Sequence, residues 1–380
     1  MPATITWEEL RELAAFRAVR GCAVSLYVDL DPSTAPTAAD VDARVNALLD
    51  EAEKQAGRSA RTLDHEGRTG LRGDLERIRQ WFGTEFDRDG VHGVAAFADG
   101  VDNLWTTIEL PEAVPDHVKI SGELYLAPLM SAAGRAECAL VGVVGRERGQ
   151  VFRLEAGRLH EIAERTDDVP GRHDQGGWSQ ANYERHIDEL AARHLRRVAA
   201  TLDDCVRRHR GAPVALVGAE EVRPAFERML AHDTCARAVG WTTAEAHADG
   251  PRLATAVGPL LDAWWANRES ELLERWRQEA AKNGRATAGW EETLEAASDG
   301  RVDLLLAQLG VDRPAYECPA CGRAQMTNGG CPIDGTAMES RDTGLDVAVH
   351  KTLVNGGTVQ VIRDRHDLDP VGGIAALLRY

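Results

Sequence analysis

Apolar and polar positions along the chain follow two periods, one typical of strands and one typical of helices. In the first part of the chain, short apolar runs such as "CAVSLYVDL" predict strands, and longer stretches with apolar residues three or four apart predict helices. The predicted strands are 22–30, 90–98, 104–110 and 119–129, and the predicted helices are about 38–57 and 62–82. The small residues and turn formers of "MSAAGRAE" follow, so we predict an N-terminal α/β domain over residues 1–133.

The next stretch opens with three apolar runs between Gly-containing turns in residues 138–164, which predict a meander of short strands. A polar loop, 165–179, then precedes a long predicted helix at about 181–210. The apolar stripe of that helix consists of Ile187, Leu190, His194, Val198, Leu202 and Cys205. The elements predicted after it are strand 212–218, a helix near 220–231, strand 238–244 and helix 252–282. The turn formers of "KNGRATAG" end the stretch and predict a middle domain over residues 134–283.

The rest of the chain continues the alternation. "WEETLEAASDG" predicts a helix and "RVDLLLAQL" a strand, before an insert rich in Cys, Gly and Pro at residues 316–338. A further helix, "LDVAVHKTLVNGG", and strand, "TVQVIRD", lead to the apolar tail. Strands and helices alternate throughout, which predicts the α/β class, arranged as three small α/β domains with the third over residues 284–380.

Composition narrows the class of protein. Apolar residues make up 43% and charged residues 28% of the 380 residues, as in globular proteins, and the net charge of −17 argues against a protein that coats nucleic acid. No run approaches the roughly 18 apolar residues of a membrane span, and the acidic N-terminal residues lack the pattern of a signal peptide. We therefore expect a cytoplasmic protein without a membrane partner. Only three of the seven cysteines are clustered, which is not the pattern of a disulfide framework.

The segment "GRHDQGGWSQANYERHIDEL" (171–190) places two glycines, a tryptophan and a glutamine directly before the long predicted helix. In one interpretation, Gly176 and Gly177 form a turn and Ser179 caps the helix. A phosphate cradle or a nucleophile elbow would each follow a buried strand, and "DVPGRHDQG" is polar instead. In the remaining interpretation, the segment is an exposed tip that carries Gln180 into the active centre of another molecule.

In the order of its motifs, the chain resembles the archaeal and eukaryotic class I peptide-chain release factors and their relatives, Pelota and the ribosome quality-control peptidyl-tRNA hydrolases. Those proteins have three α/β domains, a Gly-Gly-Gln loop before a long helix in the middle domain, and commonly a Cys-x-x-Cys insert in the third. Here "GGWSQ" precedes the helix, and "CPACG…GGCPID" and "GGIAALLRY" follow the order of the third domain. The resemblance covers about residues 134–380; in the first domain it extends only to size and class.

The chain departs from the termination factors in two ways. Trp178 and Ser179 separate the glycine pair from Gln180, a spacing closer to that of the quality-control hydrolases and suited to a bacterial-type member. Residues 1–133 contain no counterpart of the Asn-Ile-Lys-Ser stop-codon motif. The resemblance therefore implies hydrolysis without codon reading.

The resemblance implies a peptidyl-tRNA hydrolase that cleaves the ester between a nascent peptide and its tRNA, in ribosome rescue or quality control. Gln180 would position water, a backbone N–H would stabilise the oxyanion, and Gly176, Gly177 and Ser179 would complete the catalytic loop. The implied partners are peptidyl-tRNA and the ribosome, at the peptidyl transferase centre of its large subunit; whether a GTPase delivers the protein is left open. Two other functions stay open as well: a non-catalytic, hibernation-type ribosome-binding factor, and an endonuclease that cuts the tRNA 3′ end.

The long predicted helix is locally basic. Between Leu190 and Arg210 the sequence holds six arginines and two aspartates. This excess predicts a surface that contacts RNA phosphates, although a solvated polar face would have the same composition. The candidate RNA-binding residues are Arg172, Arg193, Arg196 and Arg197.

The insert has the spacing of a metal site. Cys318-x-x-Cys321 is followed after nine residues by Cys331-x-x-Asp334, and cysteine pairs at such spacing bind structural zinc in a tetrahedral arrangement. Aspartate is a less common zinc ligand in structural sites. Either Asp334 completes a structural zinc site, or the metal has been lost and packing alone holds the insert.

Overall fold

The computed structural model describes residues 5–59, 64–88, 90–110, 112–133, 138–155, 158–167, 180–209, 211–244, 248–282, 284–363 and 365–380, and for residues 57–59, 180–185 and 187 the backbone alone. The fold is mixed α/β, which confirms the predicted class. The pattern of contacts divides the chain into two compact units: a central unit, residues 137–268, and a terminal unit, residues 1–136 together with 269–380. The division into three domains stays a prediction.

The N-terminal part of the terminal unit is built around an antiparallel sheet. Its elements are α1 (Trp7–Ala15), β1 (Ala23–Asp29), α2 (Ala38–Ser59), α3 (His65–Thr84), β2 (Gly93–Asp99), β3 (Leu104–Leu110), β4 (His117–Ser121) and α4 (Leu129–Ala133). The strand order is β3-β2-β1-β4. Strand β1 is buried over almost its whole length because both of its faces are covered. Val24 and Leu26 lie in the core beneath α2 and α3, and Ala23 and Tyr27 lie in the core on the other side.

The central unit contains a five-stranded mixed sheet. Its elements are β5 (Ala139–Val144), β6 (Arg148–Glu155), β7 (Arg158–Thr166), α5 (Gln180–Arg208), β8 (Val214–Gly218), α6 (Arg223–Glu227), α7 (His232–Arg237), β9 (Ala238–Thr242) and the first part of α8 (Gly250–Ala281). The strand order is β7-β6-β5-β8-β9; β5, β8 and β9 are parallel, and β6 and β7 form the predicted meander with β5. Helix α5 covers one face of this sheet and α8 the other.

The C-terminal part of the terminal unit contains two further sheets. Its elements after α8 are β10 (Ala286–Ala288), α9 (Trp290–Ser298), β11 (Val302–Gln308), β12 (Ala315–Glu317), β13 (Ala324–Gln325), β14 (Glu339–Arg341), α10 (Gly344–Val354), β15 (Thr358–Ile362) and β16 (Ile374–Leu378). The larger sheet has the order β10-β16-β11-β15, with β11 and β15 parallel. The predicted insert carries the smaller sheet, β13-β12-β14.

The two parts of the terminal unit share one hydrophobic core. Tyr27 and Phe97 from the N-terminal part belong to the same buried cluster as Leu294 and Leu305 from the C-terminal part. Polar contacts reinforce the core: His350 on α10 places Nε2 2.6 Å from the carbonyl oxygen of Leu124 and Nδ1 3.2 Å from that of Ala14. Residues far apart in the sequence thus form one body.

Three elements differ from the sequence prediction. The apolar run 119–129 is a strand only as far as Ser121; the N–H of Leu126 and that of Ala127 donate to Asp346 Oδ1 at 2.8 and 3.0 Å instead of to a neighbouring strand. The helix predicted near 220–231 is limited to α6, and α5 begins at Gln180, one residue before the predicted start. Among the residues described, no helix is both long and apolar enough to cross a membrane.

Candidate functional site

The predicted catalytic segment is flanked by well-defined elements of the central unit. Gly176, Gly177 and Ser179 lie outside the described residues, as does Arg172, and Gln180 is described by its backbone as the first residue of α5. On the other side, β7 ends at Thr166 and Asp167 is the last described residue. The structure therefore describes the frame of the segment, and the catalytic roles of these residues stay predictions.

Helix α5 is held firmly on the sheet. Of its predicted stripe, His194, Val198, Leu202 and Cys205 are buried and Leu190 is partly buried, whereas the side chain of Ile187 is not described. Val198 and Leu202 pack with Leu140 of β5, Val151 of β6 and Leu216 of β8. One face of α5, from Leu195 to Val206, is thus anchored over three strands.

Asp167 connects the end of β7 to α5. One carboxylate oxygen, Oδ2, lies 2.7 Å from Nδ1 of His194, and the other, Oδ1, accepts a hydrogen bond of 2.5 Å from Nη1 of Arg197. The backbone N–H of Asp167 donates to the carbonyl oxygen of Glu147 at 2.9 Å. The hydrogen bond from His194, aided by the charge of Arg197, lowers the pKa of Asp167 below its usual value. Asp167 is therefore an ionised contact between the edge strand and the helix.

Sequence reasoning did not find the contact between Asp167 and His194. It placed His194 in the apolar stripe of the helix, where it is indeed buried, with 1% of its surface exposed. The sequence did contain a signal for such a contact: a histidine among apolar stripe positions is expected to be buried, and a buried imidazole requires a polar partner. The partner could not be deduced, because Asp167 lies 27 residues earlier in a polar stretch without periodicity.

The predicted RNA-binding arginines of α5 lie on its solvent side. Arg193, Arg196 and Arg197 are all exposed, and Arg197 also bonds Asp167. Arg207, from the same basic stretch, pairs with Asp204. Part of the local basic charge is thus matched by neighbouring carboxylates, and the role of the arginines in binding RNA stays a prediction.

The insert of the terminal unit consists of two turns with the same backbone geometry. In the first turn, Cys318 N–H donates to Arg323 O at 2.8 Å and Gly322 N–H to Cys318 O at 2.9 Å. In the second, Cys331 N–H donates to Thr336 O and Gly335 N–H to Cys331 O, both at 2.8 Å. Both glycines have a φ of 75°, a conformation that residues with a Cβ rarely adopt. Cys-Pro-Ala-Cys-Gly and Cys-Pro-Ile-Asp-Gly therefore fold into equivalent knuckles, with Asp334 at the position of Cys321.

The four predicted metal ligands converge between the two knuckles. Their ligand atoms, on Cys318, Cys321, Cys331 and Asp334, all lie within 4.8 Å of one another. The Sγ atoms of Cys321 and Cys331 are 3.5 Å apart, and Cys318 Sγ is 3.6 Å from Asp334 Oδ2. A tetrahedral zinc ion with Zn–S of about 2.3 Å and Zn–O of about 2.1 Å requires edges of roughly 3.6–3.8 Å. The donor set and its spacing fit a closed, structural zinc site.

The electrostatics of two of the four ligands, Asp334 and Cys318, suit a cation. The Thr336 N–H donates to Asp334 Oδ1 at 2.9 Å and holds the pKa of this carboxyl below its usual value. Burial raises the pKa of Cys318, but the N–H groups of Cys321 and Ala320 near its sulfur outweigh burial and leave the pKa lowered. Both groups are thus biased toward the ionised forms that bind metal.

Comparison with known proteins gives consistent results. Residues 125–258 match the model of the family described as "Bacterial archaeo-eukaryotic release factor family 10". The chain is 24% identical to "Peptide chain release factor subunit 1" of Archaeoglobus fulgidus over 398 residues, which cover 98% of this chain and 96% of that protein. It is also 24% identical to the protein of the same name from Thermoplasma acidophilum over 326 residues, 76% of this chain and 75% of the other.

Two solved structures are also similar to this chain. The crystal structure of an archaeal translation termination factor is 15% identical, with a TM-score of 0.28 over 99% of both chains. Pelota from Archaeoglobus fulgidus is 16% identical, with a TM-score of 0.35 over 76% of this chain and 79% of the other.

The sequence comparisons define the class that this chain is similar to, the peptide chain release factors, and its predicted resemblance to the archaeal and eukaryotic release-factor superfamily is confirmed. The segment that matches the bacterial family model contains Gly176, Gly177 and Gln180 together with the whole of α5.

Proposed function

We propose that this protein is a ribosome-associated peptidyl-tRNA hydrolase that acts in ribosome rescue or quality control in the cytoplasm, without reading stop codons. One observation carries the proposal: the segment that matches a bacterial release-factor family includes the Gly-Gly-Trp-Ser-Gln sequence and the helix that follows it. The alignment with a peptide chain release factor over 98% of the chain supports the same assignment. The absence of an Asn-Ile-Lys-Ser motif from residues 1–133 supports rescue rather than termination.

The proposed chemistry depends on positioning rather than on proton transfer by a side chain. A glutamine does not titrate, so Gln180 would orient a water molecule toward the ester carbonyl with its amide. Gln180 is the first residue of α5, and the first N–H groups of a helix have no partner within the helix. Such N–H groups are suited to stabilise negative charge that develops on the carbonyl oxygen. Gly176 and Gly177 would let the backbone approach the tRNA end closely.

The remaining parts of the site would come from the partners. The ribosome would present the ester of peptidyl-tRNA at the peptidyl transferase centre of its large subunit. Arg193 and Arg196, which are exposed on α5, would contact RNA phosphates during docking. The zinc knuckles lie in the terminal unit, so zinc would have a structural role.

The test uses ribosomes that hold peptidyl-tRNA next to a vacant site. The wild-type protein should release the peptide and leave a tRNA with an intact 3′ end. Gln180→Ala should slow release by roughly 100-fold or more, as the loss of one oriented donor does in other acyl-transfer sites. Its free energy of unfolding should change by no more than about 0.5 kcal/mol, and ribosome binding should persist. The matched control is Gln278→Ala, an exposed glutamine on α8.

The outcomes separate the competing functions. Release that is unchanged in Gln180→Ala would refute the mechanism. Ribosome binding without release by the wild-type protein would instead establish a non-catalytic, hibernation-type factor. A tRNA shortened at its 3′ end would establish an endonuclease.

A further inference from the structure

We propose that Asp167 and His194 form a latch that holds the end of β7 on α5, where the predicted catalytic segment begins, and thereby sets the rate of peptide release. The proposal rests on the proposed hydrolase function for its effect on release, but its structural part stands independently. His194 is a positioning residue and not a catalytic one, because its side chain is completely buried and cannot touch a substrate.

The latch lies where the chain leaves the sheet. Asp167 is the last described residue before the segment, and its carboxylate contacts His194 Nδ1 at 2.7 Å and Arg197 Nη1 at 2.5 Å. His194 and Arg197 are three residues apart on α5, so they present adjacent donors to one carboxylate. The end of β7 is thus bound by two charge-assisted contacts to the same helix whose first residue is Gln180.

Strand β7 needs such an attachment. It is one of the two edge strands of the sheet, and in the described part of the chain it pairs with β6 alone. Most of its side chains are exposed or half-buried, and Ile162 is 37% exposed. An edge strand with little buried apolar surface frays readily. The contact of Asp167 with a buried side chain therefore holds an end that the core itself holds weakly.

The latch attaches the end of β7 to the helix that begins at Gln180. His194 lies 14 residues after Gln180 on α5, a separation of about 21 Å along the helix axis at 1.5 Å per residue. The predicted catalytic segment joins Asp167 to Gln180 in the sequence, so we expect peptide release to depend on how firmly Asp167 is attached.

The choice of histidine also argues for a latch rather than for core packing. Nδ1 donates to Asp167, and among the described residues the buried Nε2 has no hydrogen-bond partner. An unpartnered buried polar atom is unfavourable. A leucine would fill the same stripe without this cost, so packing alone does not explain His194.

The test compares His194→Leu, which keeps the packing and removes the donor, with His194→Asn, whose amide nitrogen can replace Nδ1 as a donor. Peptide release is measured in a single turnover at saturating protein, together with the half-saturating concentration and the thermal midpoint. His194→Leu should release about tenfold more slowly, because misplaced groups lose rate steeply. Its half-saturating concentration should stay within about twofold and its midpoint within a few degrees of the wild type. His194→Asn should stay within about threefold of the wild-type rate, and His186→Leu, at an exposed position of the same helix, should leave the rate unchanged.

Release at the wild-type rate in His194→Leu would overturn the proposal. An equal loss of release rate in His194→Asn and His194→Leu would also overturn it. A rise in the half-saturating concentration without a change in the maximal rate would do the same. Hydrogen exchange in the free protein separates this proposal from the proposed function. In His194→Leu the β7 amides should exchange at least about threefold faster than in the wild type, and in Gln180→Ala their exchange should be unchanged. Unchanged β7 exchange in His194→Leu refutes the latch, whereas faster exchange supports it even if the wild-type protein releases no peptide.

Discussion

Replacing Cys318 with serine tests whether a metal holds the insert of the terminal unit. The insert consists of two equivalent knuckles, and its buried apolar cluster contains only Cys318, Cys331 and Met338. Such a small cluster buries little surface in comparison with the backbone that the insert must order. Zinc would supply the missing stabilisation, because at structural sites the energy of metal binding is also energy of folding. A hydroxyl in place of the Cys318 thiolate removes one of the four ligands.

The expected size of the effect follows from the geometry. The 3.5 Å and 3.6 Å donor separations already match the edges of a zinc tetrahedron, so the wild-type protein should hold about one zinc ion per chain. Cys318→Ser should reduce the zinc content to below about 0.2 ions per chain. The N–H groups of Cys331 and Gly335, which close the second knuckle, should then exchange at least about 100-fold faster, a loss of about 2.7 kcal/mol in local stability.

The assay is elemental analysis of protein purified under reducing conditions, followed by hydrogen exchange with and without a chelator. Asp334→Cys is the informative companion, since a fourth thiolate in the equivalent knuckle position should retain the metal. The control is Cys235→Ser, which removes an exposed cysteine from the central unit. A wild-type protein without zinc, whose insert stays equally protected in chelator, would show that packing alone holds the knuckles.

Two further predictions concern the core of the terminal unit. Burial raises the pKa of Asp74 to about 6, so the folded protein binds this proton more tightly than the unfolded chain, and stability should fall as the pH rises from about 4 to about 6. Asp74→Asn keeps an acceptor for the Gly100 N–H and should remove this pH dependence. In urea unfolding near neutral pH, its free energy of unfolding should be about 1–3 kcal/mol higher than that of the wild type. A variant no more stable than the wild type would contradict this. His350→Leu removes the buried imidazole that contacts the carbonyl oxygens of Ala14 and Leu124, and it should cost about 2–5 kcal/mol in the same assay. His366→Leu, at a largely exposed position, should cost less than about 0.5 kcal/mol. A small effect of His350→Leu would show that this buried contact does not stabilise the shared core.

Elements with a long, regular pattern were predictable from the sequence. Helices α2, α5 and α8 begin within about two residues of their predicted starts, because their buried stripes continue over many turns. The stripe of α5 correctly identified His194, Val198 and Leu202 as inward-facing. Short elements were not predictable: β10 has three residues, and α1 depends on a capping box at Thr6 and Glu9 and on packing against distant α10.

Contacts between distant residues account for the remaining differences. The run 119–129 is as apolar as a strand, and Leu124 and Leu126 are indeed fully buried. Their backbone does not continue β4, because Asp346, 220 residues later, accepts the N–H of Leu126. The equivalence of the two knuckles was partly visible in the sequence, since Gly322 and Gly335 each follow the last ligand of their turn. No periodic pattern marked the partner of His194, which required the structure.

The described residues of the central unit flank the predicted catalytic segment, and their side chains limit which groups could take part in the proposed chemistry. His194, which contacts Asp167 at the end of β7, is sealed from solvent. The arginines of α5 are suited to bind phosphate and not to transfer protons at neutral pH. In the proposed hydrolase, the reacting groups would therefore come from the segment that ends at Gln180 and from the bound partner. Such an arrangement would suit an enzyme whose substrate is presented by a larger assembly, because the protein would then need only a stiff helix, a fixed strand end and one correctly placed amide.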